Sequence, residues 1–246
     1  MDTIRIGIVG AGGNTRNRHI PNLQKIDGVE IAAVCNRSAA SGQKAAEQFG
    51  IPKVYTNWRE LVESDKINAV VIGTWPNQHC PVTCVAFDAG KHVLCEARMA
   101  RNADEAHDML AARREHPELV GQIVPSPFTL KYDRAIQHYL ADGYVGELLT
   151  IDVRAVGRSF PDFDAPLSWR QDRELSGFNT LALGIFYEAL ARWVGHAARV
   201  TAMTRTVVSR REQDGVKRVV DIPDHVDVLA AMVCGVTLSC PGWAWM

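Results

Sequence analysis

The stretch Ile4-Arg-Ile-Gly-Ile-Val-Gly-Ala-Gly-Gly-Asn14 is an apolar run that ends in a cluster of glycines. It predicts a buried strand that breaks into a tight turn, which Gly10 permits, while Gly12 has no Cβ and lets backbone N–H groups approach an anion. A helix after the turn would direct its positive end at the same anion. The G-x-G-x-x-G pattern is incomplete, because Thr15 holds the third glycine position. Since the turn directly follows a strand, a pyrophosphate site is favoured over a ligand-free glycine loop.

Strand-like and helical segments alternate in the first half of the chain, with short links between them. The sequence predicts strands over 4–9, 29–35, 54–55, 69–72, 92–94 and 119–124, with helices over 20–26, 39–49, 58–63, 81–89 and 102–116. This order is typical of an α/β fold with a doubly wound parallel sheet. Pro125-Ser-Pro127 then marks a domain boundary. We therefore expect a Rossmann domain that binds NAD(P) over residues 1–124.

The second half, residues 125–246, has a different pattern. Helices are predicted over 130–142 and 179–194, strands over 147–156, 200–209, 217–220 and 226–234, and an irregular stretch over 160–171. Long strands with few helices indicate an α+β domain built on a large, mostly antiparallel sheet. We assign it to substrate binding and oligomerisation.

Composition and charge exclude several classes of protein. The 246 residues are 47% hydrophobic and 22% charged, with a formal net charge of −1, so no charge excess favours nucleic acid or an anionic membrane as a partner. No apolar run approaches the roughly 18 residues of a membrane span, and the N-terminus shows no signal-peptide pattern. We expect a cytoplasmic protein with a small-molecule substrate and reduced cysteines. Cys80 and Cys84 lack a second matching pair, so no metal site is predicted.

The end of the second predicted strand bears on the choice of cofactor. A site that prefers NAD usually has Asp or Glu there, which accepts a hydrogen bond from the ribose 2′-OH. This chain has no acid at that point, and Arg37 can pair with a 2′-phosphate that a carboxylate would repel. NADP(H) is therefore predicted, with NAD and a solvated Arg37 as the alternative. The predicted cofactor contacts of the two loops are Gly10, Gly12, Gly13, Asn14, Asn36, Arg37 and Ser38.

Four segments carry a family resemblance. They are the glycine turn that runs into His19-Ile-Pro21, Gly73-Thr-Trp-Pro-Asn-Gln-His79, Ala89-Gly-Lys-His-Val-Leu-Cys-Glu96 and Gly143-Tyr-Val-Gly-Glu147. With them the chain resembles the glucose–fructose oxidoreductase / inositol dehydrogenase / rhizopine catabolism (Gfo/Idh/MocA) family. The resemblance implies a dinucleotide-binding domain, followed by an open antiparallel sheet whose outer face mediates oligomerisation. It also implies further cofactor contacts, which are Thr74, Trp75, Pro76 and His79, with Asn77 nearby and Glu96 at the start of the family's Glu-Lys-Pro motif.

The chain departs from the family at the residues that carry the chemistry. Ala97 stands where the resemblance implies a lysine, and Ala182 and Phe186 stand where it implies the acid and the histidine of an Asp-x-Gly-x-His motif. Hydride transfer from an alcohol requires a group that removes the hydroxyl proton, which contributes about 10²–10⁴-fold to the rate. Neither alanine nor phenylalanine can do this, so the usual sugar-alcohol mechanism is unsupported and the catalytic residue is unassigned.

Other side chains are candidates for the missing roles. Arg98 and Arg170 could hold an anionic substrate, Tyr187 and Glu188 adjoin the lost histidine position, and His225 follows a predicted turn. Each has a structural alternative, because a helix buries one face and exposes the other, and because arginines often cap neighbouring chain segments. We take Arg98, Arg170 and Tyr187 as the substrate-pocket candidates.

The apolar segment Cys240-Pro-Gly-Trp-Ala-Trp-Met246 is unexpected at a solvent-facing end of the chain. We expect either a shortened second domain or a tail that a partner subunit covers. A sheet cut short would leave an unpaired edge, so homo-oligomerisation through the second domain is expected.

Two functions fit this pattern. The first is an NADP(H)-dependent oxidoreductase that acts on a sugar-like or other small carbonyl or alcohol compound with a non-standard acid–base set. The second is a catalytically silent dinucleotide-binding protein that serves as a sensor or partner subunit. The glycine turn and Arg37 support both, so the prediction of an oxidoreductase rests on the resemblance and the otherwise intact fold pattern.

Overall fold

The computed structural model describes residues 3–127, 129–154, 162–178 and 181–243. The chain divides into two compact units, residues 1–124 and 125–246. Within the described residues, the first unit contains two clusters of buried apolar side chains and the second unit contains one.

Six strands form the sheet of the first unit. They are β1 (Ile4–Val9), β2 (Val29–Cys35), β3 (Lys53–Tyr55), β4 (Ala69–Ile72), β5 (His92–Cys95) and β6 (Gly121–Ile123). Every neighbouring pair is parallel, and the order across the sheet is 3-2-1-4-5-6. The strand order reverses between β1 and β4, which is where doubly wound folds bind ligands, beside the carboxyl ends of the strands. The predicted Rossmann-type sheet is confirmed.

Helices cover both faces of this sheet, which explains why its strands are almost continuously apolar. They are α1 (Ile20–Leu23), α2 (Ala39–Phe49), α3 (Trp58–Val62), α4 (His79–Asp88) and α5 (Ala103–Glu115). Side chains of β1 alternate between the faces, so that Ile8 packs in one cluster with Ile20 of α1. Val9 packs in the other cluster with Phe87 of α4 and Met109 of α5. Each such fully buried side chain contributes about 1.5–3 kcal/mol through loss of its contact with water.

The second unit is an α+β arrangement. Its helices are α6 (Asp133–Ala141), α7 (Arg173–Ser176) and α8 (Leu181–Val194), and its strands are β7 (Thr150–Asp152), β8 (Ala197–Arg205), β9 (Arg210–Gln213), β10 (Val216–Val219), β11 (His225–Met232) and β12 (Thr237–Trp243). The main sheet has the order 7-12-11-8, with β11 antiparallel to both of its neighbours. Leu190 of α8 packs on Ala230 of β11 and Leu238 of β12. Leu229 of β11, on the opposite face of the sheet, is 51% exposed.

The structure corrects several predicted boundaries. Within the described residues, the strand predicted over 147–156 is limited to β7, where Thr150–Asp152 pairs with β12. The strands β9 and β12 and the short α7 were not predicted. β9 is charged and forms a two-stranded sheet with β10, and β12 contains Pro241 and Gly242, residues that usually interrupt strands. Parts of three predictions lie outside the described residues: 155–156 of the strand, 160–161 of the irregular stretch and 179–180 of the helix.

The segment before the C-terminus is a strand rather than a loose tail. β12 lies between β7 and β11, and Cys240 is 5% exposed. Residues 244–246, which include one of the two tryptophans considered above, lie outside the described residues. Across the described part of the chain, no helix has both the length and the apolar character needed to cross a membrane.

Candidate functional site

The predicted cofactor residues meet at the carboxyl edge of the first sheet. Because parallel strands end at the same edge, the loops after β1, β2, β4 and β5 lie next to one another there. They contribute Gly10, Gly12, Gly13 and Asn14 after β1, Asn36, Arg37 and Ser38 after β2, Thr74, Trp75, Pro76 and His79 after β4, and Glu96 after β5. The roles of these residues at the edge differ, as their contacts show.

The loops after β1 and β4 approach each other so closely that glycine is required in both. Gly10 has φ +90°, and a Cβ on it would lie 2.7 Å from the backbone nitrogen of Thr74. A Cβ on Gly73 would lie 2.0 Å from the hydroxyl oxygen of Thr15, whose side chain is buried. Thr15 therefore fills the third glycine position by packing against Gly73. Sequence reasoning placed Gly73 in a motif but missed this steric role, which a glycine directly after a buried strand can signal.

Beside this contact the glycine turn is open. A Cβ on Gly13 would meet nothing within 4 Å, and one on Gly12 would meet only the Gly73 carbonyl oxygen, at 3.5 Å. Both residues are exposed. Backbone N–H groups at such a position can reach a pyrophosphate, so the turn fits a dinucleotide. Thr74 Oγ1 and Asn77 Oδ1, on the adjacent loop, are buried without a hydrogen-bond partner among the described residues.

Asn36 and Ser38 shape the loop after β2. The side-chain oxygen of Asn36 accepts from the N–H of Ala11 at 2.6 Å, and its amide nitrogen donates to the carbonyl of Ser41 at 3.0 Å. The Ser38 hydroxyl caps α2 by accepting from the N–H of Ser41 at 3.3 Å. Asn36 thus connects the β2 loop to the glycine turn. Both side chains have structural contacts in addition to the predicted phosphate contacts.

The side chain of Arg37 contacts the ring of Trp75. It is exposed, and its guanidinium lies over the ring of Trp75, with Cζ 5.3 Å from the ring centroid. The contact is a cation–π interaction that joins the loops after β2 and β4. The predicted 2′-phosphate ligand and a predicted nicotinamide-side residue are therefore direct neighbours.

The buried ring of His79 connects the loops after β4 and β5. Its ring is 1% exposed, with Nδ1 2.7 Å from the carbonyl oxygen of Arg98 and Nε2 3.2 Å from that of Thr74. Burial lowers its pKa, and the two carbonyls only partly offset this effect. The neutral ring donates to one of the two carbonyls and fixes the loops after β4 and β5. The ring has almost no accessible surface, and the predicted contact of His79 with the cofactor stays a prediction. Pro76, also predicted as a contact, is buried at the start of the short turn Pro76–Gln78.

Glu96 forms a hydrogen-bonded cluster with Asn14 and His19, here called the edge cluster. Glu96 Oε1 accepts from His19 Nε2 at 2.5 Å and from the Asn14 side-chain amide, and Oε2 accepts from the N–H of Ala97 at 3.2 Å. Burial acts to raise the pKa of Glu96, but the hydrogen bonds and the His19 ring outweigh burial, so the pKa lies below its usual value. His19 is the last residue of the π-helical turn Thr15–His19, which directly precedes α1.

The candidates in the second unit are engaged in contacts within that unit. The Tyr187 hydroxyl accepts from the N–H of Ala197 at 2.9 Å. Arg170 lies over the ring of Trp169, with Cζ 4.4 Å from the centroid, and burial lowers its pKa. His225 contacts Asp227, with Nε2 2.9 Å from Oδ2. These contacts favour the structural alternatives for Tyr187 and His225.

Glu188 belongs to an ion-pair network that attaches α8 to the start of the second unit. Its carboxylate accepts from the N–H of Ser126 at 3.0 Å and from Arg192, which also donates to Asp133 at 2.8 Å. These hydrogen bonds therefore engage the Glu188 carboxylate, which is one of the candidates for the missing base. The side chain of Ala182 lies outside the described part, and Phe186 lies on α8.

Cys80 and Cys84 are neighbours on α4. Their sulfurs are 4.0 Å apart, and burial raises the pKa of Cys80 to about 12. Among the described residues, no group of three or more His, Cys, Asp or Glu side chains is placed to hold a metal ion.

Two family models match this chain. The model described as "Oxidoreductase family, NAD-binding Rossmann fold" matches residues 4–122, and the GFO/IDH/MocA C-terminal domain matches residues 134–241. The chain belongs to the Gfo/Idh/MocA family.

Curated members of the family resemble the chain at moderate identity. An uncharacterized oxidoreductase, ORF334 of Rhizobium meliloti, is 29% identical over 195 residues, which are 79% of this chain and 57% of that protein. The inositol 2-dehydrogenase of Salmonella typhimurium is 28% identical over 171 residues, 67% of this chain and 49% of that enzyme. The chain thus spans about half the length of these relatives.

Solved structures confirm the fold. An oxidoreductase domain protein from Kribbella flavida has a TM-score of 0.89 at 24% identity, over 99% of this chain and 68% of that one. Levoglucosan dehydrogenase, in complex with NADH and levoglucosan, has a TM-score of 0.85 at 21% identity, over 99% of this chain and 67% of that one.

Proposed function

We propose that the chain binds a nicotinamide dinucleotide at the carboxyl edge of its first sheet. It would act as an oxidoreductase on a small sugar-like alcohol or carbonyl compound. The observation that carries this proposal is the open turn at Gly12 and Gly13, held against the β4 loop by the Gly10–Gly73 contact. The relatives named as inositol 2-dehydrogenase and levoglucosan dehydrogenase support the substrate class.

Different residues at the carboxyl edge of the first sheet would hold different parts of the cofactor. Backbone N–H groups of Gly12, Gly13 and Asn14 would bind the pyrophosphate, and Thr74 and Trp75 would flank the nicotinamide side. Glu96, held ionised by its neighbours, would orient groups at the start of the β5 loop. The bound dinucleotide supplies a carbon that accepts or returns a hydride.

We propose NADP(H) as the preferred cofactor. Arg37 is an exposed cation directly after β2, and its neighbours in sequence, Asn36 and Ser38, carry no carboxylate that would repel a 2′-phosphate. A hydrogen bond to a charged group contributes about 1.5–3 kcal/mol, which corresponds to about ten- to a hundredfold discrimination. NAD is the alternative, and the levoglucosan dehydrogenase structure contains NADH.

A catalytically silent dinucleotide-binding sensor is the second candidate. Ala97 and Phe186 occupy positions where the resemblance implies a lysine and a histidine. Tyr187 and Glu188, which adjoin Phe186 in sequence, are engaged in other contacts. The Tyr187 hydroxyl accepts from the N–H of Ala197, and the Glu188 carboxylate accepts from the N–H of Ser126. These contacts favour a silent protein unless another residue supplies the proton transfer.

Self-association and location complete the proposal. The face of β8 and β11 that points away from the second unit's core exposes Met203 and Leu229, at 69% and 51%. We propose that a second copy covers this face. Cytoplasmic location accords with six free cysteines.

The test has two stages. Protein fluorescence is titrated with NADPH and NADH, and the complex is then screened with inositols, aldoses and keto-sugars for absorbance change of the nicotinamide. The proposal expects saturable binding and turnover of at least one polyol or sugar. Binding without turnover across the panel would support the sensor, and no binding would contradict both candidates.

A further inference from the structure

The edge cluster has the composition of an acid–base site. In it a carboxylate, an amide and an imidazole converge after β1 and β5, at the edge where the cofactor is proposed to bind. Glu96 accepts from Asn14, His19 and the Ala97 N–H, so both oxygens of its carboxylate are fixed in place. Such fixed geometry is what positioning of a catalytic imidazole requires.

Glu96 determines which nitrogen of His19 carries a hydrogen. Its lowered pKa keeps it ionised at neutral pH, and an ionised carboxylate can only accept hydrogen bonds. Nε2 of His19 must therefore be the donor, and in the neutral ring Nδ1 keeps a lone pair. Within the described residues, the recorded contact of the His19 ring is the one at Nε2. A carboxylate orients the imidazole in the same way in Ser-His-Asp triads.

Three other titratable groups near this edge, His79, Cys80 and Cys95, are less suited to proton transfer. Both ring nitrogens of His79 face carbonyl oxygens in the interior. Burial raises the pKa of the Cys80 and Cys95 thiols to about 12. The side chain of His19 is 16% exposed, so its ring can exchange a proton with water. Ala97, which follows Glu96, provides only a methyl group.

We propose that His19 is the acid–base residue of the oxidoreductase reaction and that Glu96 and Asn14 are its positioning residues. The inference rests on the proposed function. When an alcohol is oxidised, the hydroxyl proton passes to His19 Nδ1 while the O–H electron pair forms the new carbonyl bond. The hydrogen on the carbinol carbon leaves with its electron pair and reduces the oxidised nicotinamide. The imidazolium then releases its proton to water, and reduction of a carbonyl follows the reverse path.

The kinetic test compares two histidines, each paired with a carboxylate. His19→Gln keeps a donor for Glu96 but cannot accept a proton. It is expected to lower kcat at least about a hundredfold and to leave the Kd for reduced cofactor within about threefold. The control is His138→Gln, whose exposed ring lies 3.1 Å from Asp142 on α6 and whose loss should leave kcat unchanged. If His19→Gln retains most of the wild-type kcat, the assignment of His19 is overturned while the proposed function stands.

A second readout does not depend on turnover. Nitrogen-15 NMR of the imidazoles in the cofactor-free full chain should show His19 with its hydrogen on Nε2. Glu96→Ala should release this preference, whereas Glu115→Ala, at an exposed site on α5, should not. A hydrogen on Nδ1 of neutral wild-type His19 overturns the inference. Wild-type protein that binds cofactor but oxidises no substrate contradicts the proposed function itself, and the inference with it.

Discussion

The two units of this chain use their polar side chains differently. At the carboxyl edge of the first sheet, Gly12 and Gly13 leave an open turn, Arg37 lies over Trp75, and Glu96 forms the edge cluster with Asn14 and His19. In the second unit, the polar groups of α8 bind neighbouring segments of the same unit. We propose that the open turn and the edge cluster of the first unit face a ligand, whereas the polar groups of α8 connect segments of the second unit.

The difference shows which parts of such a site can change independently. The cofactor turn is constrained by backbone sterics at Gly10 and Gly73, where no other residue fits. By the family resemblance, the substrate motif depends on single side chains, and Ala182 and Phe186 stand at two of these positions within a helix that still forms. Under the proposed function, the turn that holds the dinucleotide is kept although two positions implied in proton transfer differ.

The largest effect is expected from Gly73→Ala. The new Cβ would lie 2.0 Å from the Thr15 hydroxyl and 2.5 Å from the Gly10 carbonyl oxygen, so the loops must separate. We expect a loss of about 3 kcal/mol in the free energy of unfolding, together with loss of cofactor binding. Denaturant unfolding and a fluorescence titration measure the two effects.

Gly13→Ala is the matched control for this variant. A Cβ there meets no atom within 4 Å, so unfolding should change by less than about 1 kcal/mol. The methyl group would occupy the proposed pyrophosphate position, and affinity should fall about tenfold or more. Equal cofactor affinity in Gly13→Ala and wild type would show that the cofactor does not bind at this turn.

Arg37→Ala tests the choice of cofactor. Loss of the guanidinium should weaken NADPH binding by about ten- to a hundredfold and leave NADH binding within about twofold. Arg114→Ala, on the exposed end of α5, controls for the loss of one positive charge. Equal weakening of both nucleotides would assign Arg37 to the Trp75 contact rather than to the 2′-phosphate.

Glu96 makes the stability of the first unit depend on pH. Its pKa is lower in the folded state than the usual 4.5, so its contribution is present above that value and is lost as the pH falls through the folded-state pKa. Glu96→Gln should cost about 1.5 kcal/mol at pH 7, and the difference from wild type should shrink below pH 4.5. Unfolding curves from pH 7 to pH 3 measure this, with Glu115→Gln as control. A difference that is constant across this range would show that Glu96 acts through packing alone.

The smallest effect is expected from Tyr187→Phe, in the second unit. Removal of the hydroxyl that accepts from Ala197 should cost about 1 kcal/mol of stability and leave kcat within about twofold. Tyr144→Phe, at a residue 77% exposed, should change neither quantity. A hundredfold fall in kcat for Tyr187→Phe would indicate that Tyr187 acts in the substrate site.

Local patterns predicted the first unit well. Glycines after an apolar run and the helical pattern over 102–116 act through neighbours in sequence, and α5 forms there with Asn102 as its N-cap, which accepts from the N–H of Glu105 at 2.9 Å. The order of the strands follows from the handedness of their connections.

Contacts between distant segments could not be read from the sequence. Glu96 meets Asn14 and His19 across 82 and 77 residues of chain, and Glu188 meets Ser126 across 62. β12 was missed because Pro241 and Gly242 argue against a strand when read locally, whereas pairing with β11 and β7 on both sides stabilises it.

Calorimetric titration of the cofactor-free protein with NADPH and NADH tests dinucleotide binding at the first sheet most directly. We predict saturable heat with one site per chain for both nucleotides, tighter for NADPH, and a clear loss of affinity in Gly13→Ala. The absence of heat with either nucleotide at millimolar concentration would contradict the assignment of this edge as a cofactor site.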